Sequence, residues 1–186
     1  PNYQYVAARL INYKLRKEVY GQFEPWLLSH IVEKNIERGV YDPDFLNKFN
    51  DEDLQKLESF INHNRDNDFT YVGMEQFRSK YLVQDRNTKK CYETPQVLYM
   101  MIAATLFADY GKDRMKWIKD YYDAISQFYI SLPTPIMAGL RTETRQFSSC
   151  VLIEAGDSLD SINSTSTSIV RYISKKAGIG IGAGSI

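Results

Sequence analysis

Cys150 is the residue in this 186-residue sequence best suited to redox or nucleophilic work. It follows Ser148 and Ser149 at the head of the apolar run Cys150-Val151-Leu152-Ile153. Strand alternation there puts Ser148, Cys150 and Leu152 on one face and Ser149 and Val151 on the other. A thiol so placed can donate electrons or attack an electrophile, or it can simply fill a core. No general base is evident nearby, so residue type alone favours a buried structural cysteine. Cys91, in a polar hairpin, carries even less. The glycines at 178, 180, 182 and 184 invite a phosphate-loop reading, but there is no GxxxxGK[ST], and GxGxxG fails at Ser185. Close passage of backbone at a helix-to-strand junction explains them equally well. Asp157, with Asp160 three residues on, fits a helix cap. His30 and His63 read as surface or capping residues, and with only two cysteines no CxxC or HxxxH spacing is present to hold zinc, so no metal site is expected.

The elements that must position these groups follow from periodicity. Val6, Leu10, Tyr13 and Leu15 predict an amphipathic helix from Tyr3 to about Val19. Pro25 is placed to open a second helix bearing Leu28, Ile31, Val32 and Ile36, stopped by Gly39. Asn50 caps a third, with Asp51, Glu52 and Asp53 in its first turn and Leu54, Leu57, Phe60 and Ile61 as the buried stripe. Tyr81-Leu82-Val83 and Cys91-Tyr92 flank a polar tip and predict a short hairpin. Pro95 opens a strongly apolar helix to Phe107, and a further helix runs from Lys112 to about Gln127. After Phe128 come short β-favouring runs, Tyr129-Ile130 and Cys150 to Ile153. The sequence therefore divides into a mainly helical part, residues 1–128, and a second part, 129–186. A helix burying Ile162, Ile169, Val170 and Ile173 follows, with Lys175 and Lys176 at its negative end, Gly178 as its stop and Ile179-Gly180-Ile181 beginning a strand. Strand, helix, strand makes a βαβ unit whose sheet needs more chain to complete it.

Lys plus Arg and Asp plus Glu are 23 each, so charge balance advertises neither nucleic acid nor an anionic membrane as partner. No apolar run approaches the ~18 residues of a bilayer span, and no signal segment opens the chain, which reads as cytoplasmic. It begins at Pro1 without Met and stops within a glycine-rich run, so a fragment is expected.

Three stretches carry a resemblance: Ile130 to Met137 (ISLPTPIM), Thr144 to Cys150 (TRQFSSC) and Gly156-Asp157-Ser158-Leu159. Arg171 to Ile181 continues it, and upstream Tyr20 to Pro25 (YGQFEP) and Lys80 to Gln84 (KYLVQ) extend it over essentially the whole chain. The sequence closely resembles class I ribonucleotide reductase large subunits, nearest the bacterial and phage branch. The resemblance implies an α/β fold, a helical N-terminal region leading into the first units of a ten-stranded barrel of two five-stranded halves. It implies reduction of ribonucleoside diphosphates to 2′-deoxyribonucleotides by a radical mechanism. Cys150 would be one of a redox-active pair whose partner lies beyond Ile186, as do the thiyl-forming cysteine and the radical-transfer tyrosines. Thr134 and Ser149 match positions contacting the substrate diphosphate and ribose, and Ala177-Gly178 matches backbone lining the same pocket. Asp157, Ser158 and Leu159 match the specificity-effector site, where a deoxynucleotide triphosphate sits at the dimer interface. Lys17 matches a position reaching the activity-site ATP, most of which is formed by a cone domain that would precede Pro1. Gly182 departs from the family's usual Asn. The implied partners are a metal-containing, radical-generating small subunit, thioredoxin or glutaredoxin, and a second copy of the full subunit, with no cofactor bound in this chain and no nucleic acid or membrane. The fragment alone is expected to be inactive. A noncatalytic piece of a split reductase and a nucleotide-sensing module are the rival readings.

Overall fold

A computed structural model describes residues 2–175 and 177–186; the expectation for Lys176 lies outside them. The chain forms α1 (Tyr3–Tyr20), α2 (Leu28–Glu37), α3 (Phe45–Lys48), α4 (Asp51–Phe60), α5 (Tyr71–Gln76), α6 (Pro95–Phe107), α7 (Arg114–Ser126), α8 (Thr134–Gly139), β1 (Cys150–Gly156), α9 (Leu159–Ser174) and β2 (Gly178–Ser185). It is mainly helical, with one small parallel sheet of β1 and β2.

The core is built around α6. Every residue from Pro95 to Ala104 is buried, as an all-round apolar helix requires, and α7 packs along it through Ile118, Tyr122 and Ile125. Pro95 occupies the first turn of α6, where its missing N–H costs nothing. The capping box at α4 forms as the sequence predicts: Asp53 N donates to Asn50 Oδ1 at 2.9 Å, and Asn50 N donates to the Asp53 carboxylate at 3.1 Å. Gly21 ends α1 in the left-handed region at φ 72°, its N–H donating to Lys17 O. None of the described helices is long and apolar enough to cross a membrane.

Several expectations are corrected. In α1 the buried face is Ala8, Asn12, Leu15, Arg16 and Val19, whereas Val6, Leu10 and Tyr13 are exposed. Asn12 and Arg16 go inward because polar partners wait there: Asn12 Nδ2 donates to Asn67 Oδ1, and Arg16 Nη2 donates to His63 O at 2.7 Å. Pro25 lies ahead of α2, which starts at Leu28. The hairpin shrinks to a single antiparallel bridge, Gln84 to Cys91, with its turn held by Asp85 Oδ1 accepting from Asn87 N and Thr88 N. A 3-10 turn at His63–Asp68, the helices α3 and α5, and a π-helical turn at Phe77–Tyr81 join the predicted elements. Tyr129-Ile130 is loop rather than strand, and Pro133-Thr134-Pro135 opens α8. His63 is no surface residue: neither ring nitrogen finds a partner, and burial, reinforced by Arg16, lowers its pKa to about 4.

The β1-α9-β2 unit has the predicted order of strand, helix, strand, with β1 and β2 paired in parallel from Cys150↔Gly178 to Ile153↔Ile181. Its helix stops at Ser174, and Gly178 is not the stop but the first residue of β2. The expected buried stripe of α9 fails: Thr165 alone is buried there, while Ile162, Val170 and Ile173 are exposed. Alternation along β1 is as predicted, Val151, Ile153 and Ala155 being more covered than Cys150, Leu152 and Glu154. One face of the sheet meets α9 and the other is open, Leu152 being 87% exposed.

Candidate functional site

Two strand beginnings create the densest cluster of candidate residues. Cys150 is the first residue of β1 and lies opposite Gly178, the first residue of β2. Just before them, Gly178 N donates to Ser149 O at 2.9 Å. A Cβ on Gly178 would stand 3.2 Å from that carbonyl, a tight contact that glycine spares the two backbones. Gly184, by contrast, meets nothing, so the glycine run shares no single geometric reason. Ala177 is buried and its N–H donates to Tyr172 O, which fixes the exit from α9. Ser149, Cys150, Ala177 and Gly178 therefore share one end of the sheet.

Cys150 is exposed and free, overturning the buried structural reading; Cys91 is the buried cysteine. Burial pushes the Cys91 thiol up to about 12, with the Glu18 carboxylate adding to the shift, so it is an inert thiol at neutral pH. An exposed thiol at a strand end, beside a bare glycine backbone, can be reached by a substrate and by a second thiol.

The opposite end of β1 leads through Asp157 and Ser158 into α9. The cap is Ser158, not Asp157: Ser158 Oγ accepts from Ser161 N at 3.1 Å, and Ser161 Oγ accepts from Gly156 N at 2.8 Å. Capping thus occupies one Ser158 acceptor and leaves the Asp157 carboxylate outside the helix, with Leu159 86% exposed beside it. This turn gathers the three predicted effector residues but holds them at the far end of the strand from Cys150.

Thr134 begins α8, and its hydroxyl lies 3.4 Å from the Tyr81 hydroxyl. No hydrogen bond or ion pair among the described residues joins it to Ser149 or Cys150. What fixes α8 is a buried pair that the sequence reading missed. Arg141 and Glu93 are both fully buried. Arg141 Nε donates to Glu93 Oε2 at 2.9 Å, Nη1 donates to Met137 O at 2.7 Å, and Nη2 donates to Tyr81 O at 2.8 Å as well as to Glu93. The carboxylate also accepts from Tyr41 Oη and, at 2.8 Å, from Val83 N. Burial works against the Arg141 charge, but Glu93 beside it more than compensates and the pKa is raised. A lone Glu and a lone Arg, each bordering an apolar run, were the available signals. Beyond Arg141, Gly139 passes so near Thr144 O that a Cβ would stand 2.7 Å from it, and Arg145 pairs with Asp42. Lys17 stands apart on α1, its ammonium 4.8 Å above the Tyr13 ring. No group of three or more His, Cys, Asp or Glu among the described residues could hold a metal ion.

Comparison with known proteins bears on this arrangement. The family model "Ribonucleotide reductase, all-alpha domain" matches residues 67–145, from the turn before α5 to the Arg141 segment. The chain is 55% identical to "Ribonucleoside-diphosphate reductase 1 subunit alpha" of Salmonella typhimurium, over the whole chain and 25% of that protein. It is 54% identical to the Escherichia coli protein of the same name and 55% identical to the subunit alpha of Enterobacteria phage T4, again over the whole chain and 25% of each. The chain spans about a quarter of the length of these curated relatives.

Proposed function

We propose that the chain belongs to the ribonucleotide reductase large-subunit family, as the matched segment and the 54–55% identical relatives support, and that it is a segment of the catalytic subunit of a cytoplasmic ribonucleoside-diphosphate reductase. The observation that carries the reading is the exposed Cys150 thiol at the first position of β1, set against the Gly178 backbone. In the proposed reaction Cys150 and a second cysteine, supplied outside residues 1–186, give up two electrons and two protons and close a disulfide. The ribose 2′ hydroxyl leaves as water and a hydrogen takes its place on carbon, which balances the step. The disulfide is then reopened by thioredoxin or glutaredoxin. A radical-generating small subunit with its own metal supplies the radical that starts the chemistry.

The rest of this chain binds and orients. Ser149 and the Ala177-Gly178 backbone receive the ribose and diphosphate, with Thr134 on α8 as a further diphosphate contact. Asp157, Ser158 and Leu159 take a deoxynucleotide triphosphate effector: the first N–H groups of α9 face the same turn, and a sixteen-residue helix makes that end electropositive. Lys17 reaches an activity-site ATP. Residues 1–128 form the helical part and 129–186 the start of a ten-stranded barrel, with α8 bridging the two. The open face of the sheet, where Leu152 stands exposed, supports both the barrel and the rival reading of an assembly piece that needs the remaining strands from another chain. A homodimer of the full subunit completes the effector site.

The test is Cys150→Ser in a complete subunit carrying this segment. Thioredoxin-dependent turnover is expected to vanish, and unchanged turnover would overturn the assignment. The isolated chain is expected to turn over no substrate. Titration of it with a labelled deoxynucleotide triphosphate separates the sensing reading, since Asp157→Ala should abolish any binding at the β1-α9 turn.

A further inference from the structure

Away from both strand ends, between α5, α6 and the segment after α7, lies a cavity of about 470 Å³. Its inner walls are Phe69, Phe77, Tyr99 and Met137, all at least nine-tenths buried. The rings are not stacked on one another. Phe77 meets Phe69 at 4.8 Å and Tyr99 at 5.5 Å between centroids, both edge-on, and Phe128 meets Phe69 edge-on at 5.0 Å. Together these rings form an aromatic wall, against which a further flat ring can pack edge-on or offset-stacked.

Two further observations set this cavity apart from an ordinary packing defect. Tyr99 is only 5% exposed, yet its hydroxyl makes no hydrogen bond with any described residue. Burial, with the Asp66 charge adding to it, raises its pKa, so at neutral pH it is a protonated donor with no protein acceptor among the described residues, lining a half-open cavity. Phe128, on the outer wall, sits at φ 65°, in the left-handed region that a bulky residue avoids. Its ring packs edge-on against Phe69, and backbone strain of this kind clusters at active sites and ligand clamps. At the rim, Asp68 and Ser131 supply acceptors.

We propose that this cavity binds a planar heteroaromatic ring whose nitrogen accepts a hydrogen bond from the Tyr99 hydroxyl while its faces lie against Phe69, Phe77 and Phe128. The site uses none of the residues assigned above to substrate or effector, and it stands whether or not the proposed reductase function does.

The probe is 7-azaindole, with indole as the ring of equal size that lacks the accepting nitrogen. Saturation transfer from the 186-residue chain, titrated with each, should give a dissociation constant on the order of 1 mM for 7-azaindole, with indole about fivefold weaker. Tyr99→Phe removes one oxygen and should erase that preference. Phe128→Gly removes a wall while suiting φ 65°, so the fold should survive; binding of both rings should fall by about threefold or more. Absence of saturation transfer from either ring overturns the proposal, as does a preference for 7-azaindole that survives Tyr99→Phe. Loss of binding in Asp157→Ala would put the ring at the β1-α9 turn and overturn it equally. If Phe128→Gly fails to melt cooperatively, the ratio in Tyr99→Phe decides alone.

Discussion

Replacing Arg141 with Met isolates what the buried pair contributes. The substitution keeps most of the side-chain volume but strips Glu93 of its cation at a site where neither residue touches solvent. The carboxylate retains Val83 N and Tyr41 Oη, and Met137 O and Tyr81 O each lose a donor. A buried charge left without its partner costs about 3–5 kcal/mol, and each stranded carbonyl adds on the order of 1 kcal/mol. Against a total stability of about 5–15 kcal/mol, that is a third or more of the fold. At roughly 2–4 °C per kcal/mol for a chain of this size, the melting midpoint should fall by about 10–28 °C. Urea unfolding followed by the fluorescence of Trp26 and Trp117, repeated for Glu93→Leu and for the double variant, completes a thermodynamic cycle. The double variant should be less damaged than the sum of the singles by about 2 kcal/mol or more, because it leaves no lone charge. Additive losses, or a drop below about 1 kcal/mol for Arg141→Met, would refute the argument.

Three further outcomes are expected. A maleimide should label Cys150 rapidly in the native chain and leave Cys91 unmodified until the chain is unfolded, as mass spectrometry of the two peptides would report; equal labelling would contradict their burial. Gly178→Val should disrupt the pairing of β1 and β2, because its side chain meets backbone rather than a movable group at Ser149; amide exchange from Cys150 to Ile153 should accelerate while α6 is unaffected. Asp66 has its pKa raised to about 7 by burial, with Arg16 3.9 Å away opposing the shift. Since the folded pKa lies above the unfolded one, the group's relative stabilisation is full below about pH 4 and is lost as pH rises through about 7, by up to about 1.4 kcal/mol per pH unit. Buried His63 runs the other way, losing stability as pH falls from about 6.5 toward 4. The stability of the wild type relative to Asp66→Asn, measured in urea at pH 5 and pH 8, should therefore be higher at pH 5; a difference independent of pH would refute the assignment.

Where local chemistry decides, the sequence was readable. Asn50 and Asp53 announce a capping box, Pro95 opens the apolar α6, and alternation after Ser149 gives β1. Burial of polar groups was not readable, because it depends on partners brought from far along the chain. Asn12 and Arg16 face inward on account of Asn67 and His63, more than forty residues away, and the inversion of the α1 stripe follows from that alone. The same cause hid Arg141 and Glu93. In α9 the apolar positions were plain, but their burial was not: Ile162, Val170 and Ile173 stay exposed among the described residues. Of the candidate site, resemblance supplied positions and the fold assembled four of them at one sheet end. Ser158 rather than Asp157 as the cap was a choice between adjacent side chains that only the backbone geometry at Gly156 resolves.

From residue 150 onward only Ala155, Thr165 and Ala177 are buried among the described residues, against the long continuous core of the helical part. The β1-α9-β2 unit is made of contacts close in sequence and rests on little excluded surface. It should therefore open and close as its own cooperative unit, well below the global unfolding free energy, while the helical part stays shut. The pairing of β1 with β2 and the packing of α9 on them supply its cooperativity. The thiol of Cys150 is thus held in register only as firmly as β1 is held by β2 and α9.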